Sequence, residues 1–183
     1  MQLLRATKDD YLTLSDNSRH NVRGWVDASY AVHPDMKSHS GGAMSLGKGV
    51  IYGTSKRQKL NTKSSTEAEL AGVNDVMPQI LWTRYFLEAQ RYGVEDSLVY
   101  QDNQSAILLE KNGRASSGKR TGHINIRYFF VTDQIAAGEV KVEYCPTGEM
   151  VGDFFTKPQQ GILFRKFRNH VLNLNGDPTY KHR

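Results

Sequence analysis

The sequence predicts an α/β fold in which a mixed sheet carries helices on its faces, and three observations lead there. Residues 22–29 alternate apolar and polar side chains as a half-buried strand does. From Leu70 to Phe86 the apolar residues recur instead at helical spacing. Further on, a short apolar run at 98–101 and an alternating stretch at 139–144 are interleaved with helical stretches, the pattern that adds parallel strands to an antiparallel start.

Residues 9–20 are polar and turn-rich, ending in Asp16-Asn17-Ser18-Arg19-His20, and read as a hairpin or linker. The expected organisation is a connecting segment at 1–21, a domain at 22–174 and a frayed tail at 175–183. Strands are expected at 22–29, 43–46 and 50–54, divided by Ser40-Gly41-Gly42 and Gly47-Lys48-Gly49 and therefore antiparallel through tight turns. From Ser65 the period changes, and Leu70, Val73, Val76 or Met77, Ile80, Leu81, Trp82 and Phe86 form one stripe. Pro78 removes a backbone donor inside that stripe, so a kink or the start of a second helix is expected there. A strand at 98–101, a helix at 103–109, a Gly- and Ser-rich loop at 112–122 and a helix at 124–137 follow. A strand at 139–144, a helical segment at 150–156 and a terminal helix at 163–174 complete the chain, with the leading order βββαβαβα.

A chain of 183 residues suffices for one domain with a real core. The hydrophobic share of 38% and nine Tyr beside seven Phe fit a globular protein rather than a disordered one. No apolar run approaches the length of a membrane span, and the first residues lack a secretory apolar region, so an intracellular location is expected. Cys145 stands alone, which excludes an intramolecular disulfide and a thiolate zinc cluster, and its place before Pro146 at a strand end suits a structural role. The net charge of +5 is gathered in Lys56-Arg57-Gln58-Lys59, Lys119-Arg120 and Arg165-Lys166-Phe167-Arg168, which points to a polyanionic partner.

Four carboxylates recur in separate elements. Asp27 lies late in the first strand, where an Asp could simply begin a turn. Glu69 opens the long helix beside Ser64 and Glu67, in a stretch that fits a capping box. Asp102 follows a strand and could cap the next helix, and Asp153 begins a short helix whose dipole favours an acid. Each local explanation serves singly, but together they do not explain why two acids end neighbouring strands while two begin helices against the same sheet edge. Functional groups in open sheets collect beyond the carboxyl ends of strands. Gathered there, four carboxylates would need hard cations between them, because Mg²⁺ and Mn²⁺ prefer oxygen ligands. Glu67 and Glu69 point in different directions on a helix, and Glu69, next to the apolar stripe, is the one expected to face the site.

Around and between these acids stand the motifs Val26-Asp27-Ala28, Ser64-Ser65-Thr66-Glu67-Ala68-Glu69, Asp102-Asn103-Gln104-Ser105-Ala106-Ile107, His123-Ile124-Asn125-Ile126-Arg127-Tyr128-Phe129, Tyr144-Cys145-Pro146-Thr147 and Asp153-Phe154-Phe155-Thr156-Lys157-Pro158. With them the chain resembles the RNase H domain of copia-type long-terminal-repeat retrotransposon polyproteins over residues 22–174. The resemblance implies an RNase H-like fold with a five-stranded mixed sheet, three strands antiparallel and two added in parallel. It implies cleavage of RNA paired to DNA, and Asp27, Glu69, Asp102 and Asp153 as the catalytic, metal-binding quartet. It also implies two Mg²⁺ ions, replaceable by Mn²⁺, and a reverse transcriptase domain of the same polyprotein as a partner alongside the RNA:DNA hybrid. A cytoplasmic retrotransposon particle or the nucleus would be the setting. Residues 144–153 hold no histidine, where many cellular relatives carry one on a loop before the last acid.

Within that expectation Asp27 bridges both ions, Asp102 and Asp153 complete the one that activates water, and Glu69 serves the one at the leaving oxygen. Ser65, Thr66, Asn103 and Gln104 lie where short polar side chains could test for 2′-hydroxyls. Lys56, Arg57, Lys119 and Arg120 could hold phosphates, and His123 could contact substrate. Two other readings compete: an inactive nucleic-acid-binding or structural module of the same fold, and an integrase or transposase core. The latter class closes its site with a glutamate in the last helix, which Asp153 fits poorly.

Overall fold

The computed structural model describes residues 9–16, 21–112 and 125–174. Its elements are β1 (Ser15–Asp16), β2 (Val22–Ser29), β3 (His39–Ser45), β4 (Gly47–Lys48), β5 (Tyr52–Arg57), α1 (Ser65–Ala89), β6 (Ser97–Gln101) and α2 (Gln104–Asn112). Then come α3 (Asn125–Ala136), β7 (Lys141–Tyr144), α4 (Asp153–Thr156) and α5 (Gly161–Leu172). The main sheet has the order β5-β3-β2-β6-β7. β5, β3 and β2 are antiparallel, whereas β6 and β7 continue the sheet in parallel from β2. The mixed five-stranded sheet expected from the sequence is therefore present.

Alternation along β2 divides the core between two faces. Val22 and Val26 pack with Val73, Val76, Met77 and Ile80 of α1, and with Ile107 of α2 and Val131 of α3. Trp25 points the other way, to Val50, Cys145, Met150 and Val151, with Val171 of α5 against them. Helices thus cover both faces, and the end of β2 emerges between α1 and α4.

Two boundaries differ from expectation, for one reason. Ser40-Gly41-Gly42 is not a turn but the body of β3, pairing with Ala28, Asp27 and Val26. A Cβ at Gly42 would lie 2.7 Å from Val76 Cγ2, and one at Gly41 would lie 2.9 Å from the Gly152 carbonyl oxygen. The glycines mark close approach of elements to both faces of the strand. β5 correspondingly runs to Arg57 rather than ending at residue 54, which puts Lys56 and Arg57 on an edge strand.

Pro78 neither breaks α1 nor starts a second helix; one helix of 25 residues runs through it. Pro78 is exposed, so the carbonyl it leaves without a donor can turn to water, while Val76, Met77, Ile80 and Leu81 are buried on either side of it. The first turn is capped as the local pattern predicts. Ser64 Oγ accepts from the Glu67 N–H at 3.2 Å, and Glu67 Oε2 accepts from the Lys63 N–H at 2.6 Å.

Residues 9–16, expected as a connecting segment, are tied to the body. β1 pairs with β4, the Thr13 N–H donates to the Leu172 carbonyl at 3.0 Å, and Arg168 lies 3.4 Å from Asp10. The loop expected at 112–122, and with it Lys119 and Arg120, lies outside the described residues, as do His123 and the tail from residue 175. No helix among the described residues is long and apolar enough to cross a membrane.

Candidate metal centre

The pairing of β2 with β6 runs from Val22 opposite Ser97 to Trp25 opposite Tyr100. Asp27 lies two residues beyond on β2, and Asp102 is the first residue after β6. Glu69 comes in from the second turn of α1, and Asp153 is the first residue of α4. Asp27, Glu69 and Asp102 each present a carboxylate oxygen such that all three oxygens lie within 4.8 Å of one another. Asp27 is 1% exposed and Glu69 4% exposed, while Asp102 is half-buried, so the cluster opens to solvent on the Asp102 side.

Local contacts explain why these acids are available. Asn103 Oδ1, not Asp102, caps α2, accepting from the Ala106 N–H at 3.1 Å. Glu67 performs the capping at α1, which leaves Glu69 for the interior. The Thr147 hydroxyl donates to Asp102 Oδ2 at 3.0 Å. Gly152 brings α4 onto β2: a Cβ there would lie 2.9 Å from Asp27 N and 3.0 Å from Asp27 Cβ. The far end of α4 is also tethered. Ser55 Oγ donates to the Phe155 carbonyl at 2.6 Å and is itself 2.9 Å from His39 Nε2, which must then be the donor of that pair.

Asp153 joins the cluster through a side chain to which the sequence reading gave no role. Lys157 Nζ donates to Asp153 Oδ1 at 2.7 Å and to Asp27 Oδ1 at 3.3 Å, and the Thr156 hydroxyl donates to Asp27 Oδ2. The signal was there: Thr156 and Lys157 follow Asp153 by three and four residues, which on a helix places them beside it.

Burial and crowding dominate the electrostatics. Glu69 is pushed up to about 9, first by burial, then by the charges of Asp27 and Asp102. Asp153 is raised to about 6 by burial, with Lys157 pulling down and Asp27 pushing up. Burial opposes the charge on Lys157, but its hydrogen bond to Asp153 and the Asp27 and Asp153 charges outweigh it, and its pKa is raised. Glu69 Oε2 is buried with no hydrogen-bond partner among the described residues. An all-oxygen donor set with an orphaned, buried carboxylate oxygen fits a hard divalent cation.

The other residues singled out from the sequence lie on several elements. Ser65 is exposed and Thr66 half-buried, one turn before Glu69. Gln104 is exposed at the start of α2, and Asn103 has its oxygen engaged in the cap. Lys56 and Arg57 lie on the edge strand β5 and pair with Asp75 at 3.8 Å and Asp35 at 3.1 Å. The third basic cluster is partly internal: Phe167 is buried, Lys166 pairs with Glu149 at 2.5 Å, and Arg168 reaches Asp10. Cys145 is buried, and burial pushes its thiol up to about 11, so it is inert at neutral pH.

Sheet order and solved structures agree on the class, an RNase H-like fold. LC11-RNase H1, isolated from compost, superposes with a TM-score of 0.54 at 8% identity over 86% of this chain and 99% of its own. Its complex with an RNA/DNA hybrid superposes at 0.50, with 11% identity, over 70% and 88%. The chain's homologues include the Pol polyproteins of copia-type plant transposons. It is 32% identical over 158 residues to the retrovirus-related Pol polyprotein from transposon TNT 1-94 of Nicotiana tabacum, covering 86% of this chain. It is 29% identical over 183 residues to that from transposon RE2 of Arabidopsis thaliana, covering 98%. The chain spans 12% of the length of each of these polyproteins. No family model matches it.

Proposed function

We propose that this domain hydrolyses the RNA strand of RNA:DNA hybrids with divalent cations, serving reverse transcription by a retrotransposon polyprotein. The observation that carries the reading is the convergence of Asp27, Glu69 and Asp102, with the buried Glu69 Oε2 lacking a hydrogen-bond partner among the described residues. Asp27, Glu69 and Asp102 would hold a cation, and Asp153 would join them if two ions bind. Bound Mg²⁺ or Mn²⁺ would lower the pKa of a water and offset charge on the phosphodiester.

The chain's own residues do the rest. Thr147 orients the Asp102 carboxylate, and Thr156 and Lys157 orient that of Asp27. The buried floor formed by Asp27 and Glu69 keeps water away from all but the open side, where Asp102 meets solvent. Ser65 and Thr66, one turn before Glu69 on α1, and Gln104, two residues after Asp102, are the groups proposed to read the minor groove for 2′-hydroxyls. Lys56 and Arg57, paired with the half-buried Asp75 and the exposed Asp35, are proposed to exchange those partners for phosphates. One structural neighbour holds an RNA/DNA hybrid, and the relatives are retrovirus-related Pol polyproteins, which supports the choice of substrate and of a reverse transcriptase as partner.

The test is cleavage of a labelled hybrid by Asp27→Asn. The variant is expected to fold and to bind the duplex but to cut at least about 10²-fold more slowly, the scale on which a preorganised electrostatic group acts. Cutting at the unsubstituted rate, or undiminished cutting in EDTA, refutes the reading. Binding without cleavage by the unsubstituted chain in Mg²⁺ would support an inactive module instead.

A further inference from the structure

Lys157 is a cation the site already contains. Its ammonium lies 2.7 Å from Asp153 and 3.3 Å from Asp27, two carboxylates that are 3% and 1% exposed. The backbone at its root is fixed. The Lys157 N–H donates to the Asp153 carbonyl at 3.0 Å, closing the end of α4, and Pro158 follows at once. Asp27 therefore belongs to two groupings: with Glu69 and Asp102 it forms an oxygen set of metal-binding dimensions, and with Asp153 it clasps an ammonium.

We propose that Lys157 is a resident counter-cation that shares the Asp27–Asp153 side of the site with divalent ions by competition. A first ion binds on Asp27, Glu69 and Asp102 with Lys157 in place; a second can use Asp153 only when the ammonium leaves. The proposal rests on the metal-dependent reading above. Oxygen ligands approach Mg²⁺ to about 2.0–2.1 Å, so an ion held by both Asp27 and Asp153 would occupy the space the ammonium fills. Like charges at such separations in a poorly solvated site repel strongly. Without either cation, Asp27 and Asp153 face each other unneutralised. Lys157 and the second ion are thus alternative solutions to one electrostatic problem, and the site keeps its shape before metal arrives.

Lys157→Met, which keeps the aliphatic stem and removes the charge, tests this without relying on activity. Thermal melting should show the variant destabilised in EDTA, with the deficit shrinking or vanishing in saturating Mg²⁺. A residue of merely structural importance would show the same deficit in both buffers, and that result overturns the proposal. Mn²⁺ titration followed by calorimetry, with electron paramagnetic resonance to detect spin coupling between adjacent ions, should find the second ion bound at least about tenfold more tightly by the variant. Equal second-ion affinity in the two proteins also overturns it while leaving the metal site standing. Absence of ion binding by both proteins removes the metal reading and this one together. Should the variant fail to fold in either buffer, the unsubstituted chain decides the matter by nuclear magnetic resonance of ¹⁵N-lysine. The Lys157 ammonium signal should move as the second ion saturates, and a signal unchanged at saturation refutes the competition.

Discussion

At the scale of single residues, buried acids set the pH response. Glu69 and Asp153 have pKa values above their ordinary ones, about 9 and about 6, so the folded chain holds protons that the unfolded chain releases. Their contribution to stability is full below the unfolded pKa near 4 and is lost as pH rises through the folded values. In EDTA the melting temperature is therefore expected to fall from about pH 5 to pH 9, with an underlying loss of a few kcal/mol. A bound cation favours the charged carboxylates, so Mg²⁺ should flatten the slope, and Glu69→Gln should flatten it in EDTA. A pH profile that Glu69→Gln leaves unaltered would contradict this. Glu110 gives a second case away from the site. It is fully buried on α2, neither carboxylate oxygen has a hydrogen-bond partner among the described residues, and burial raises it to about 8. Urea denaturation of Glu110→Gln should show its stability relative to the unsubstituted chain improving by more than about 1 kcal/mol between pH 5 and pH 8. A constant difference across that range counts against the assignment.

At the scale of elements, the first turn of α1 separates two acids that lie two residues apart. Glu67 closes the cap and Glu69 faces the cluster, so Glu67→Gln should preserve hybrid cleavage while Glu69→Gln should nearly abolish it. Ser64→Ala should cost about 1 kcal/mol in denaturant titration with little effect on cleavage. The capping frame was legible in the sequence because it is a local device, fixed by spacing alone. The extent of β3 was not. Ser40-Gly41-Gly42 has the composition of a turn, and only the nearness of Val76 and α4, which are distant in the chain, shows that small residues were required within a strand. Pro78 misled for a related reason. Its cost depends on which side of the helix meets solvent, a property set by packing rather than by the residue itself. Gly42→Ala should accordingly destabilise by about 1–3 kcal/mol, since its Cβ would meet Val76 at 2.7 Å; a neutral effect would show that α1 yields easily.

At the scale of the whole molecule, the order of elements and a common sheet edge for the acids could be read from the alternation of strands with helices, but the distances between the acids could not. That Asp27 and Asp102 come side by side follows from β6 adding in parallel beside β2, a long-range pairing that the element order anticipated. Asp102 and Asn103 show the same limit: either could have capped α2, and the fold assigned the cap to Asn103. Lys157 has no role in the sequence reading because a lone lysine after a short helix looks like surface, whereas here its half-exposed side chain bridges two buried acids. In the opening segment, expected as a connector, Ser15–Asp16 pair with β4 and the Thr13 N–H bonds to the end of α5. Deleting residues 1–16 should lower the melting temperature by several degrees, as the loss of about 1 kcal/mol does in a domain of this size.

The bare α-carbon of residue 152 gives the pocket its tolerance. With only hydrogen between the α4 turn and the β2 backbone, two polypeptide segments 125 positions apart in sequence touch directly. A methyl group there would act as a wedge, levering Asp153 and Lys157 outward from Asp27 together. Since the carboxylates must meet to within a few ångströms, so slight a thickening at a position that bears no charge should blunt the chemistry as surely as deleting an acid.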